Sequence, residues 1–129
     1  MLAVDTNIVV RYVVGDGGDQ FARAVAIFER QEVSISLTVV LETEWVLRDA
    51  YGFSRDAVLT ALEKVVGLPT VRLSEPGIVR MAMNLAAAGM DFADALHLAQ
   101  VEGCEAFVTF DKKLSKRARD LRSVEVRLV

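Results

Sequence analysis

Soft metal ligands and disulfide partners are nearly missing from this sequence, which holds one cysteine, Cys104, and one histidine, His97. A lone cysteine excludes an internal disulfide framework, and the two residues together are too few for a structural zinc site. Proline is scarce as well: 2 Pro and 8 Gly in 129 residues exclude a low-complexity or collagen-like chain and leave no linker to divide it. No apolar run of membrane-spanning length is free of charge. The stretch from Leu2 to Val14 is interrupted by Asp5 and Arg11, with no basic region before it. It suits neither an anchor nor a signal peptide, so no membrane association is expected and the expected compartment is the cytoplasm. A basic excess is missing too. The 15 Lys and Arg against 18 Asp and Glu give a net charge of −3, which at first sight weighs against a nucleic-acid partner.

What is present reads as one globular domain over residues 1–129, 53% hydrophobic and 26% charged. A domain of this length buries roughly two-thirds of its extended-chain surface. Leu2-Ala3-Val4 is a short apolar strand that stops at Asp5. Asp19 to Gln31 carries Phe21, Ala24, Val25 and Phe28 at helical spacing. Val33 to Leu37 alternates as a second strand, and Thr38 is the expected cap of a helix running to about Asp49, with Gly52 as its stop. Ser54 caps the clearest helix, whose stripe is Val58, Ala61, Leu62, Val65 and Val66 and whose end is Gly67. Thr70 to Leu73 is a third strand; Ser74 and Pro76 open a helix ending near Gly89. A further helix runs from about Asp91 to Gly103. Ala106 to Phe110 is a strand ending in Asp111, a basic helix follows, and Val124 to Leu128 closes the chain. Strands alternating with helices imply an α/β fold with a mostly parallel sheet, whose ligands bind beyond the carboxyl ends of the strands.

Acids gather at those expected ends. Asp5 follows the first strand, Glu42 lies one turn into the helix after the second, and Asp91 and Asp94 share the start of a helix. Asp111 follows Val108-Thr109-Phe110. Carboxylates converging from four segments repel one another unless a cation neutralises them, and all-oxygen ligands select Mg²⁺ or Mn²⁺. Each acid also has a plainer reading. Asp5, Asp91 and Asp111 are placed to cap the following helices, and Glu42 to be a solvated helix acid. Asp94 is harder to dismiss, because Phe92, Ala93, Ala95, Leu96 and Leu98 surround it and burying an unpaired carboxylate is costly.

Val4-Asp5-Thr6-Asn7, Glu42 within its helix, Asp91-Phe92-Ala93-Asp94-Ala95-Leu96-His97-Leu98-Ala99 and Val108-Thr109-Phe110-Asp111 together resemble the PIN-domain ribonucleases, and among them the VapC toxins of toxin–antitoxin pairs. The resemblance covers essentially the whole chain. It implies a single PIN-like α/β/α sandwich with a mostly parallel central sheet of four or five strands. It also implies Mg²⁺- or Mn²⁺-dependent cleavage of single-stranded or loop RNA to 5′-phosphate and 3′-hydroxyl ends. Asp5, Glu42, Asp94 and Asp111 match the family's metal-binding catalytic acids, with Asp91 secondary. Asn7 and Thr109 match supporting polar positions, through hydrogen bonds to the acids or to metal-bound water. A homodimer is further implied, with a VapB-type antitoxin that blocks the acidic site and through which alone promoter DNA would be bound. Phe21, Phe28, Trp45 and the 54–66 helix offer apolar patches for either protein partner.

A metal-activated water attacking phosphorus needs no Ser, Cys or His nucleophile. His97, one turn after Asp94, is therefore read first as a packing residue at a helix interface and second as a hydrogen-bond partner or proton donor. Cys104 is read as an inert core thiol, and Trp45, Met81 and Met83 as core or subunit-interface residues. Lys112, Lys113, Lys116, Arg117, Arg119, Arg122 and Arg127 form a basic run broken only by Asp120 and Glu125. Its first three members, Lys112, Lys113 and Lys116, are candidate RNA-phosphate contacts. Two other readings are weaker. A receiver-like phosphoacceptor domain wants an Asp after the third strand, where Val71-Arg72-Leu73-Ser74 has none; a haloacid-type phosphatase wants a second Asp where Asn7 stands. A catalytically silent PIN-like binding module is disfavoured by the complete set of acids. Setting those four acids aside takes four negative charges from −3 and leaves +1 on the rest of the chain. The overall acidity thus does not argue against RNA.

Overall fold

Among the described residues, seven helices and five strands alternate along the chain in the computed structural model, which describes residues 1–120 and 124–129. Arg122 of the basic run lies outside the described residues. The chain divides into two compact units, Met1–Pro76 and Gly77–Val129.

The first unit is built on a three-stranded parallel ladder in the order β1 (Leu2–Ala3), β2 (Val33–Ile35), β3 (Val71–Leu73). β2 is central, and its Val33 and Ile35 are fully buried. Each such side chain contributes about 1.5–3 kcal/mol by leaving water. α1 (Thr6–Val14) ends where Gly15 turns left-handed at φ 62° and returns its amide to the Arg11 carbonyl at 3.2 Å. Only a residue without Cβ adopts that conformation cheaply. α2 (Asp19–Arg30) buries Ala24 and Phe28, and the Phe28 ring lies 4.6 Å from that of Tyr12 on α1.

α3 (Leu37–Asp49) starts earlier than the sequence pattern suggests. Ser36, not Thr38, is the cap: its Oγ accepts the Val39 amide at 3.3 Å and lies 3.1 Å from the Thr38 hydroxyl. The strand before it therefore stops at Ile35, because Ser36 must already be extended and facing the helix. α4 (Arg55–Val66) follows the expected pattern, capped by Ser54 and closed by Gly67, with Val58, Leu62 and Val65 buried.

In the second unit, α5 (Pro76–Ala87) opens with a proline, whose missing N–H costs nothing in a first turn. It buries Val79, Ala82, Met83 and Ala86, while Met81 is half-buried. α6 (Phe92–Ala99) is shorter than expected. The Gln100 side chain donates to the Leu96 carbonyl at 3.0 Å, and the chain leaves the helix well before Gly103. β4 (Ala106–Thr109) and β5 (Glu125–Leu128) pair in parallel, with α7 (Lys112–Arg117) in the connection between them. The α/β class and the parallel pairing are as expected. The five strands are hydrogen-bonded as three and two, and β1 is only two residues long, both of them paired with β2.

Candidate active site

In the first unit, Asp5 stands between β1 and α1, exposed, and caps α1 with one oxygen: Oδ1 accepts from the Ile8 amide at 3.4 Å. Its other oxygen has no hydrogen-bond partner among the described residues. Asn7 follows in the first turn of α1, also exposed.

Two glutamates two residues apart on α3 have opposite surroundings. Glu44 is 6% exposed and grips Arg48, accepting from Nε at 3.0 Å and from Nη2 at 3.4 Å. Glu42 is exposed and has no hydrogen bond or ion pair among the described residues. Helical geometry explains the difference, since Arg48 is one turn after Glu44 and on its side of the helix. Sequence reasoning misses Glu44, although its spacing to Arg48 is a usable signal.

In the second unit, the charges of Asp91 and Asp111 act on Asp94. Asp91 caps α6, its Oδ2 accepting from the Asp94 amide at 3.2 Å. Asp111 caps α7, its Oδ1 accepting from the Lys113 and Leu114 amides at 2.9 and 3.1 Å. Thr109 Oγ1 accepts the Asp111 amide at 2.9 Å, so this threonine holds the acid through its backbone. Asp94 is half-buried and caps nothing. Burial raises its carboxyl above the usual 3.8, the charges of Asp91 and then Asp111 raise it further, and His97 draws it back in part. The cap reading and a ligand reading thus apply to different oxygens. Asp5, Asp91 and Asp111 each commit one oxygen to a helix and keep the other, while Glu42 and Asp94 commit neither oxygen to a cap.

Two expected placements are corrected. His97 is exposed, because α6 turns Phe92, Ala95, Leu96, Leu98 and Ala99 inward and leaves the histidine outside that face. It is therefore not a packing residue, and its charge is felt by Asp94. Cys104 is exposed, not a core thiol, since α6 ends early and places it in the turn after Gly103. Trp45 is 51% exposed, as a surface apolar residue would be, whereas Phe28 is 2% exposed and belongs to the core. Lys112, Lys113 and Lys116 are all exposed. The first unit also carries an apolar groove of about 670 Å³ between Tyr12, Phe21, Phe53 and Leu68, with none of the acids in its lining.

In each unit the candidate acids are carboxylates with uncommitted oxygens, a chemistry that suits a hard divalent cation, and in the second unit Asp94 sits in a negative field that a cation would relieve. Among the described residues, no three His, Cys, Asp or Glu side chains gather closely enough to hold an ion. Two like charges 4 Å apart repel by about 4 kcal/mol at a surface-like dielectric, so joint ligation draws on the charge of the cation itself. Among the described residues, no helix is long and apolar enough to cross a membrane.

Comparison with known proteins gives the family of the chain. No curated protein matches the chain. The crystal structure of Mycobacterium tuberculosis VapC20, described as a Sarcin-Ricin loop cleaving toxin, is similar over 97% of this chain and 99% of that one, at 19% identity and a TM-score of 0.45. The PIN domain family model matches residues 2–120, nearly the whole chain. The chain belongs to the PIN domain family.

Proposed function

We propose that this chain is a divalent-metal-dependent endoribonuclease acting in the cytoplasm as the toxin of a type II toxin–antitoxin pair, and that residues 1–129 work as one PIN domain. The observation that carries this reading is the match of the PIN domain family model to residues 2–120, in a chain whose Asp94 lies in the negative field of Asp91 and Asp111. Asp5, Glu42, Asp94 and Asp111 would hold Mg²⁺ or Mn²⁺, with Asp91 as a further neighbour. When bound, the ion supplies a Lewis acid that activates water and neutralises charge on phosphate oxygens.

The protein's own residues supply position. The capping bonds of Asp5 and Asp111 fix one oxygen of each carboxylate and so restrict where the other lies. Thr109 holds the Asp111 backbone, which keeps that acid in register with the end of β4. Asp94 lies in the negative field of Asp91 and Asp111, which favours a cation beside it. His97 lies on the solvent side one turn away. The partners that accompany this reading are an RNA substrate, a VapB-type antitoxin and a second copy of the chain.

Sequencing RNA ends after expressing wild type and Asp5→Asn without any antitoxin tests the proposal. New 5′-phosphate ends with wild type alone are expected; equal ends from both proteins would contradict it.

A further inference from the structure

The turn after β4 sets a bare aromatic ring next to one of the proposed catalytic acids. Thr109 Oγ1 accepts the Asp111 amide at 2.9 Å, and the turn this closes has Phe110 at its tip. Phe110 is 84% exposed, more than any other large apolar side chain of the described residues. A single exposed ring is ordinary by itself. Further along, Lys113, Lys116 and Arg117 line a cavity of about 520 Å³ with Ala88 and Asp120. None of the three cations has an ion-pair partner among the described residues, and Asp120 is the one acid in that lining. A cavity with this balance of charge suits an anion.

A ring just before a carboxylate in the chain and a cationic cavity on the helix just after it form a combination that suits single-stranded nucleic acid. Cations track the backbone while an aromatic face takes a base, and stacking tolerates any base because each has a π-face. The helical rise carries the chain only about 7.5 Å along the axis from Asp111 to Lys116, within reach of a few nucleotides. A duplex keeps its bases stacked inside and offers no face to Phe110. We infer that the second unit carries a single-stranded RNA subsite in which Phe110 stacks on a base beside Asp111 while Lys113, Lys116 and Arg117 hold successive backbone phosphates. This inference rests on the ribonuclease reading above.

The two halves of the subsite have separable signatures. Binding of a short labelled single-stranded oligoribonucleotide of mixed sequence is followed by fluorescence anisotropy at several salt concentrations, in EDTA to prevent turnover. Phe110→Ala is expected to weaken binding about 5- to 150-fold with an unchanged salt slope, and Phe110→Trp to restore it. Lys116→Ala and Arg117→Ala are expected to flatten the slope by about 0.7 for each phosphate that is no longer neutralised. Duplex RNA should bind more weakly and ignore Phe110, and inorganic phosphate should compete with the cationic half alone. Wild-type affinity in Phe110→Ala, or an unchanged slope in both cation variants, overturns the subsite. A change of oligomeric state in Phe110→Ala on sedimentation also overturns it, by making the ring a protein contact. Wild type that cleaves RNA while Phe110→Ala binds normally refutes the subsite and leaves the ribonuclease reading intact; wild type that neither binds nor cleaves RNA refutes both.

Discussion

Replacing Glu42 and Glu44 separately by Gln separates function from folding on a single helix. The Glu44 side chain is 8% exposed and makes two charge-assisted bonds to Arg48. Glu44→Gln keeps the volume but turns one acceptor into an N–H₂ group facing a guanidinium donor. Hydrogen bonds to charged groups are worth about 1.5–3 kcal/mol. The Arg48 side chain is 46% exposed and can recover water, which places the cost toward the lower end, about 1.5–2 kcal/mol. For a domain of this length each kcal/mol moves Tm by roughly 3–5 °C, so a fall of about 5–10 °C is expected by circular dichroism. Glu42→Gln removes an exposed, unbonded charge and should leave stability within about 0.5 kcal/mol. Its expected loss is in RNA cleavage, by about 100-fold or more, as for other charge-stabilising groups. Both variants are assayed with Mg²⁺ below the Tm of the weaker one. A Glu42→Gln protein that melts early, or a Glu44→Gln protein that keeps its Tm and loses cleavage, would refute the assignment.

Other substitutions test neighbouring features. The Thr43 hydroxyl is fully buried without a hydrogen-bond partner among the described residues, so Thr43→Val is expected to stabilise by about 1 kcal/mol in chemical denaturation; destabilisation would mean that the hydroxyl is satisfied. Asp94 binds its proton more tightly folded than unfolded, so in EDTA it weakens the fold as pH rises from about 3.8 through its raised folded value. Asp94→Asn should therefore raise Tm at neutral pH, with the gain vanishing in acid; a gain independent of pH would argue against charge crowding. Cys104 is exposed, so a thiol reagent should label the native protein at a rate close to that of the denatured chain, and strong protection would contradict its placement.

Local signals read well where one residue decides. Ser54 and Gly67 bracket α4 as their chemistry dictates, and the Phe28 and Val58 stripes face inward. Ser36 and Thr38 compete as caps because both carry a hydroxyl, and only the Val39 amide shows which one serves. For α6, Gly103 is the nearest evident stop in the sequence, while the actual end depends on Gln100 reaching back to Leu96. The exposure of His97 and Cys104 follows from that shorter helix and from which face packs, neither of which composition reveals. At the acids, capping and metal binding look like rivals in the sequence. The hydrogen bonds show the capping and leave one oxygen of each acid uncommitted, because a carboxylate has two oxygens and Asp5 and Asp111 give only one to their helices.

The central claim is that uncommitted carboxylates on a PIN fold serve a cation that cleaves RNA. Incubating purified wild type, Asp5→Asn and Asp94→Asn with single-stranded RNA, in Mg²⁺ and in EDTA, tests it most directly. Cleavage by wild type in Mg²⁺ alone, abolished in EDTA and in both variants, is the expected result. Undiminished cleavage by either variant, or by wild type in EDTA, would contradict it.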